Sequence, residues 1–262
     1  MQQALAYVPV FVLVVFRLAG MMLYAPFFGS ARIPRRLKAA IVLVLALGMA
    51  PGLSPPVVLP HTPWELALGI GGELAFGLAM GMVMSFVFIA VQWAGAMIGQ
   101  QMGLNMSEVL DPSMGGGGSI IGDLYYMMTL VVFLTVGGHR MMLQGVRESF
   151  DILPLLSVGM NQSLFDLLAR LLEGATVLAM QLAAPVLVTM LVVDLTLGLI
   201  GRAVPQMNVM AMGLSLRGVA GMVVIIVALT LGVRVMRSAV EQSMLDAWNG
   251  WTGPAAVNAR SG

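Results

Sequence analysis

Six apolar stretches, each near the roughly 20 residues that a helix needs to cross a bilayer core, constrain this chain more than any other feature. They run Leu5–Phe28, Leu37–Leu53, Leu66–Ile98, Ile120–Val136, Ala175–Ile200 and Val219–Met236. Charged residues fill only 10% of the 262 positions, against roughly 25% in an ordinary soluble domain. The apolar excess must face lipid, other subunits, or both. The expected fold class is therefore all-α and membrane-type, with about six long apolar helices in a single domain. Its parts are N-terminal helices over 1–104, a glycine-rich loop over 105–121 and C-terminal helices over 122–262.

The breaks are marked by residues that stop helices. Pro51, Pro55, Pro56, Pro60 and Pro63 punctuate one connection, Asp111 to Ser119 a second, and Pro205-Gln206-Met207-Asn208 a third. The stretch Ser163–Glu173 carries leucines at helical spacing and reads as an amphipathic entry to the fifth segment. The chain opens Met1-Gln2-Gln3-Ala4 with no basic side chain, and Arg17 interrupts the first apolar stretch. A retained helix fits this pattern better than a cleaved signal peptide.

Net charge of +1 offers nothing to nucleic acid, and the lack of cysteine excludes disulfides and thiolate chemistry. Arg32, Arg35, Arg36 and Lys38 place the first connection on the cytoplasmic side. Alternation then fails, because the stretch around Glu108 and Asp111 should be cytoplasmic and holds no cation. Either one segment is re-entrant, or the assembled protein does not sit in lipid as a simple serpentine; the second is expected.

Three groups of residues are candidates for function. Gly115, Gly116, Gly117 and Gly118 form an unbroken run of maximal backbone freedom. It is either a linker or a pliable plug, and Met106, Met114 and Ile120 would supply soft apolar closure. Gly77 and Gly81, then Gly95, Gly99 and Gly103, recur every four residues, a spacing that lets helix backbones approach closely. Arg17, Glu73, Asp123, Glu173 and Asp194 lie in apolar surroundings, where charge is costly and usually faces protein. They would relay protons or pair to fix helix register between subunits; charges of both signs favour pairing.

Enzyme chemistry finds no foothold. His61 and His139 stand on separate connections without metal-ligand spacing, and Ser215 lacks a second glycine because Arg217 occupies that place. No cofactor is expected. A secondary transporter is the rival, but its internal repeats are not seen.

The order of several motifs resembles the FliR family of type III export-gate subunits, including its virulence counterparts. The matching residues are Arg17, Gly20 and Ala25-Pro26-Phe27-Phe28-Gly29, then Ile33-Pro34-Arg35. Glu73, Gly77, Gly81, Gly95, Gly99, Gln101, Gly103, Asp111-Pro112 and Gly138-His139 follow, and then the run Gly201 to Val209, with Arg202, Pro205, Gln206 and Asn208. Departures fall at Met210, Ser215 and Arg217. The resemblance implies a gate built with FliP-like and FliQ-like subunits beside a FlhB-like protein, in contact with membrane lipid. Unfolded flagellar proteins would pass through it, in the basal body at the bacterial inner membrane; virulence secretion is the alternative. It also implies that the loop around Asp111, Pro112 and the four glycines closes the pore.

Overall fold

The computed structural model describes residues 2–26, 28–29, 33–53, 62–104, 119–156, 162–204 and 209–257. Among the described residues the chain forms seven α-helices and no strand. They are α1 (Gln2–Tyr24), α2 (Arg35–Met49), α3 (Pro63–Gln101), α4 (Ile120–Val136), α5 (Gly138–Ile152), α6 (Gln162–Ala203) and α7 (Val209–Val257). A 3-10 turn, Ala50–Gly52, follows α2 where Pro51 removes a backbone donor.

Two expectations change. α5 lies where only a connection was read, because it is amphipathic rather than continuously apolar. Met142, Val146, Ser149 and Phe150 are buried, whereas Arg140, Gln144, Arg147 and Glu148 are exposed. The count of crossing-length segments also falls. Among the described residues, three helices are long and apolar enough to span a membrane: α3, residues Leu168–Ala203 of α6 and Met212–Leu245 of α7. A fourth is added if α4 and α5 count as one broken span. α2, with 15 residues, extends only about 22 Å at 1.5 Å per residue, short of a hydrocarbon core of about 30 Å.

Contacts divide the chain into two compact units, and their boundaries fall within helices as well as between them. The first unit comprises Met1–Phe86, Gly137–Leu172 and Val240–Gly262; the second comprises Val87–Val136 and Glu173–Ala239. In the first unit, α1 buries Leu13, Val14, Leu18 and Met21. The early part of α3 buries Phe76, Met80, Val83 and Met84. In the second unit, Phe88 meets the rings of Tyr126 and Phe133 edge-on, with centroids 5.2 and 5.8 Å away. There the outer faces of α6 and α7 remain apolar: Val188, Leu191, Leu195 and Leu199 are exposed on one, and Val219, Val223, Ile226 and Val227 on the other. Such continuous apolar exposure is unsuited to water and suited to lipid or another helical subunit.

Candidate functional site

The first unit is organised around a buried charge cluster. Arg17 on α1 and Glu73 on α3 are both 0% exposed, and Arg17 Nε donates to Glu73 Oε2 at 2.5 Å. The rest of the guanidinium fork is also used. Nη1 donates to Ser149 Oγ at 3.1 Å, and Nη2 donates to the Leu153 carbonyl at 3.2 Å. The Ser149 hydroxyl in turn donates a hydrogen bond to the Val146 carbonyl at 2.6 Å. The second carboxylate oxygen of Glu73 accepts the Leu156 amide at 3.0 Å. Phe76 and Phe150 lie with ring centroids 4.9 and 4.3 Å from the guanidinium carbon, within cation–π range.

A planar, permanently charged group with five donors suits this place, because one side chain ties together α1, α3, the end of α5 and the turn beyond it. That turn carries Leu156 at φ 70°. Its side chain lies over Gly69, where a Cβ would strike it. The sequence marked Arg17 and Glu73 as costly charges but missed Ser149, Phe150 and Leu156. Their only signal was the amphipathic spacing of a helix hidden in a presumed connection.

One stripe of α3 makes the cluster possible. Glu73, Gly77, Gly81 and Ser85 recur every four residues and face Arg17, Gly20, Met21 and Tyr24 of α1 in the same order, so the two helices run parallel here. A Cβ at Gly77 would sit on the Arg17 carbonyl, and one at Gly20 on the Leu74 carbonyl. One at Gly81 would lie 2.5 Å from the Met21 carbonyl oxygen. Ser85 closes the stripe by donating to the Tyr24 carbonyl.

The second unit has its own glycine crossing. Gly95 of α3 meets Gly122 of α4, and a Cβ at Gly95 would fall on the Gly122 backbone. Ser119 caps α4 by accepting the Gly122 amide at 3.3 Å, and its hydroxyl donates to the Gly95 carbonyl at 3.2 Å. Gly99 is buried nearby. Gly103, grouped by spacing with this packing face, instead ends the helix. It takes φ 74°, its amide bonds the Gln100 carbonyl and the Leu104 amide bonds the Gly99 carbonyl, both at 3.0 Å. This pair of bonds is the Schellman stop, in which a left-handed glycine satisfies the last carbonyls. Gly103→Ala should therefore cost about 1–2 kcal/mol from the left-handed backbone, read as a lower melting temperature of the purified protein. An unchanged melting temperature would deny the glycine this role.

The remaining candidates are scattered. Met106, Asp111, Pro112, Met114, Gly115, Gly116, Gly117 and Gly118 lie outside the described residues, as do Pro205, Gln206 and Asn208. Ile120 begins α4 and is 70% exposed. Asp123 and Glu173 are exposed within this chain, not enclosed as their apolar neighbours implied, and the motif residue Arg202 is exposed too. They lie near helix ends or on outward faces, where no partner is needed within the chain. Asp194 is half-buried and pairs with Arg217 at 2.7 Å, a contact between α6 and α7.

Comparison with known proteins places this geometry in context. The family described as bacterial export proteins, family 1, matches residues 8–243. Over 233 residues the chain is 29% identical to the flagellar biosynthetic protein FliR of Bacillus subtilis, covering 88% of this chain and 90% of that protein. FliR of Escherichia coli is 27% identical over 220 residues, 84% of this chain and 80% of its own length. The surface presentation of antigens protein SpaR of Shigella flexneri is 28% identical over 218 residues, covering 82% of each chain.

Proposed function

This chain belongs to the bacterial export proteins, family 1, and we propose how it serves the flagellar type III export gate of which it is a subunit. The observation that carries the functional reading is the family match across residues 8–243, joined to the flagellar names of its relatives. The export role is passive: no chemistry is performed on cargo. Backbone-close helix crossings at Gly20–Gly77 and Gly95–Gly122 give thin walls, while the buried Arg17–Glu73 cluster holds three helical segments in register. The exposed apolar faces of α6 and α7 then dock FliP-like and FliQ-like subunits, with a FlhB-like protein alongside, at the bacterial inner membrane. The likeness to SpaR supports virulence secretion as a second reading.

The segment 105–118 is the pore closure in this scheme. Its two ends are anchored on the same helix: it leaves at the Gly103 stop and returns at Ser119, bonded to Gly95. Those anchors stand eight residues apart along α3, about 12 Å at 1.5 Å per residue. Fourteen residues can reach about 46–50 Å when extended, so the loop has ample length to reach away from its anchors and back. Its methionines suit a deformable apolar seal, and its glycines suit displacement by a passing chain.

Deleting Gly115–Gly118 should make membranes containing the assembled gate leak small ions, while subunit yield stays near the wild-type level. Conductance across those membranes is the measurement. A deletion variant that assembles and remains as ion-tight as wild type would return this segment to a linker between helices.

A further inference from the structure

The outer side of α1 meets α2 in an apolar groove of about 320 Å³. Val15, Ala19 and Leu23 form one wall and Ala39, Val42 and Leu43 the other; among the described residues, Lys38 is the one charged side chain that lines it. Leu23 and Leu43 are 62% and 45% exposed, so the trough opens to its surroundings. Lys38 stands in the first turns of α2 with Arg35 and Arg36. No acidic residue lies in that first turn, and no side chain caps it. Among the described residues, no ion pair is recorded for these three cations. Cations at a helix N-terminus oppose the helix dipole, so an anion seated there would relieve both like-charge crowding and dipole repulsion.

We infer that this groove takes one acyl chain of an anionic phospholipid, with its phosphate held by Arg35, Arg36 and Lys38. An apolar trough ending in clustered cations matches an amphiphile with a negative head. A volume near 320 Å³ falls at the lower end of small-ligand sites. Clustered Lys and Arg beside an apolar membrane segment are the usual basis for attraction to anionic lipid. The two alanines matter because longer side chains at Ala19 or Ala39 would fill the trough.

The test is native mass spectrometry of the full chain released from detergent after incubation with phosphatidylglycerol, phosphatidylcholine or inorganic phosphate. Wild type should retain one phosphatidylglycerol at least tenfold more tightly than phosphatidylcholine, undisturbed by millimolar phosphate. Replacing the cations together (Arg35→Gln, Arg36→Gln, Lys38→Gln) should abolish that preference, with about a fivefold loss per charge. Ala39→Trp should weaken both lipids alike by filling the trough. If Ala39→Trp loses helical circular dichroism, the charge variant decides alone, since Arg35 and Arg36 are exposed. Equal retention of both lipids, or undiminished phosphatidylglycerol binding in the charge variant or in a folded Ala39→Trp, would overturn the inference. So would displacement by inorganic phosphate, which would indicate an anion site without a lipid. Loss of the lipid when co-expressed gate subunits bind would give the groove to a protein helix and overturn it too.

Discussion

Arg17→Ala is expected to destabilise the protein by about 3–5 kcal/mol, the range for removing one member of a buried ion pair. The loss comes less from the missing attraction than from what remains. Glu73 stays 0% exposed and keeps only the Leu156 amide, while Ser149 Oγ and the Leu153 carbonyl lose their donor. Arg17→Lys should fall between, because one compact ammonium cannot span Glu73, Ser149 and Leu153 together as the planar fork does. Glu73→Gln should be damaging for the converse reason, a guanidinium left without a counter-charge. The double variant Arg17→Met with Glu73→Leu should recover much of the loss, since both buried charges then leave together. Thermal melting of the four variants in one detergent is the measurement. An Arg17→Ala protein that melts within a degree of wild type would mean that the charge cluster is incidental to the fold. Recovery in the double variant separates a stabilising penalty from a functional one: if stability returns and export does not, the arginine has a duty in the gate beyond holding helices.

How far the sequence could be read depended on whether a signal was local. Prolines end helices by removing a donor and by steric conflict, so the stops around Pro51 and before Pro205 were visible without coordinates. Long apolar runs were equally plain, and the leucine spacing of Ser163–Glu173 announced the amphipathic entry of α6, whereas α7 extends past its apolar stretch at both ends, which pattern alone did not claim. Amphipathic α5 was invisible to a search for unbroken apolarity, and with it went Ser149 and Phe150. The charges Arg17 and Glu73 were conspicuous one at a time, but their pairing joins positions 56 residues apart. Only the packed helices supply that juxtaposition. Gly103 shows a different limit. A spacing of four residues describes both a packing stripe and a glycine that ends the same helix, and only the φ of 74° separates them.

The stripe on α3 provides the second large effect, because two glycines on one helix should respond to the same substitution with opposite signs. Gly71 is exposed and nothing lies within 4 Å of where its Cβ would be. Alanine there should stabilise by about 0.5–1 kcal/mol through reduced backbone entropy in the unfolded chain. Gly77 is buried, and its added Cβ would meet the carbonyl carbon of Arg17 at 2.9 Å and the Met21 amide nitrogen at 3.0 Å. These are backbone atoms inside a helix, so no rotamer change can clear them; α1 and α3 must move apart. Overpacking of this kind costs about 1–3 kcal/mol, occasionally more, and the upper end is expected because separation also lengthens the Arg17–Glu73 bond one turn away. The two sites should therefore be coupled. Gly77→Ala combined with Arg17→Ala should destabilise by less than the sum of the single changes, since the first already loosens the contact that the second removes. Melting curves for Gly71→Ala, Gly77→Ala, Arg17→Ala and the double variant form a complete cycle. If Gly77→Ala proves as stable as Gly71→Ala, the close approach of α1 and α3 does not exist in the folded protein. If the penalties of Gly77→Ala and Arg17→Ala simply add, the charge cluster and the glycine crossing are separate devices, and the thin wall does not depend on the ion pair behind it.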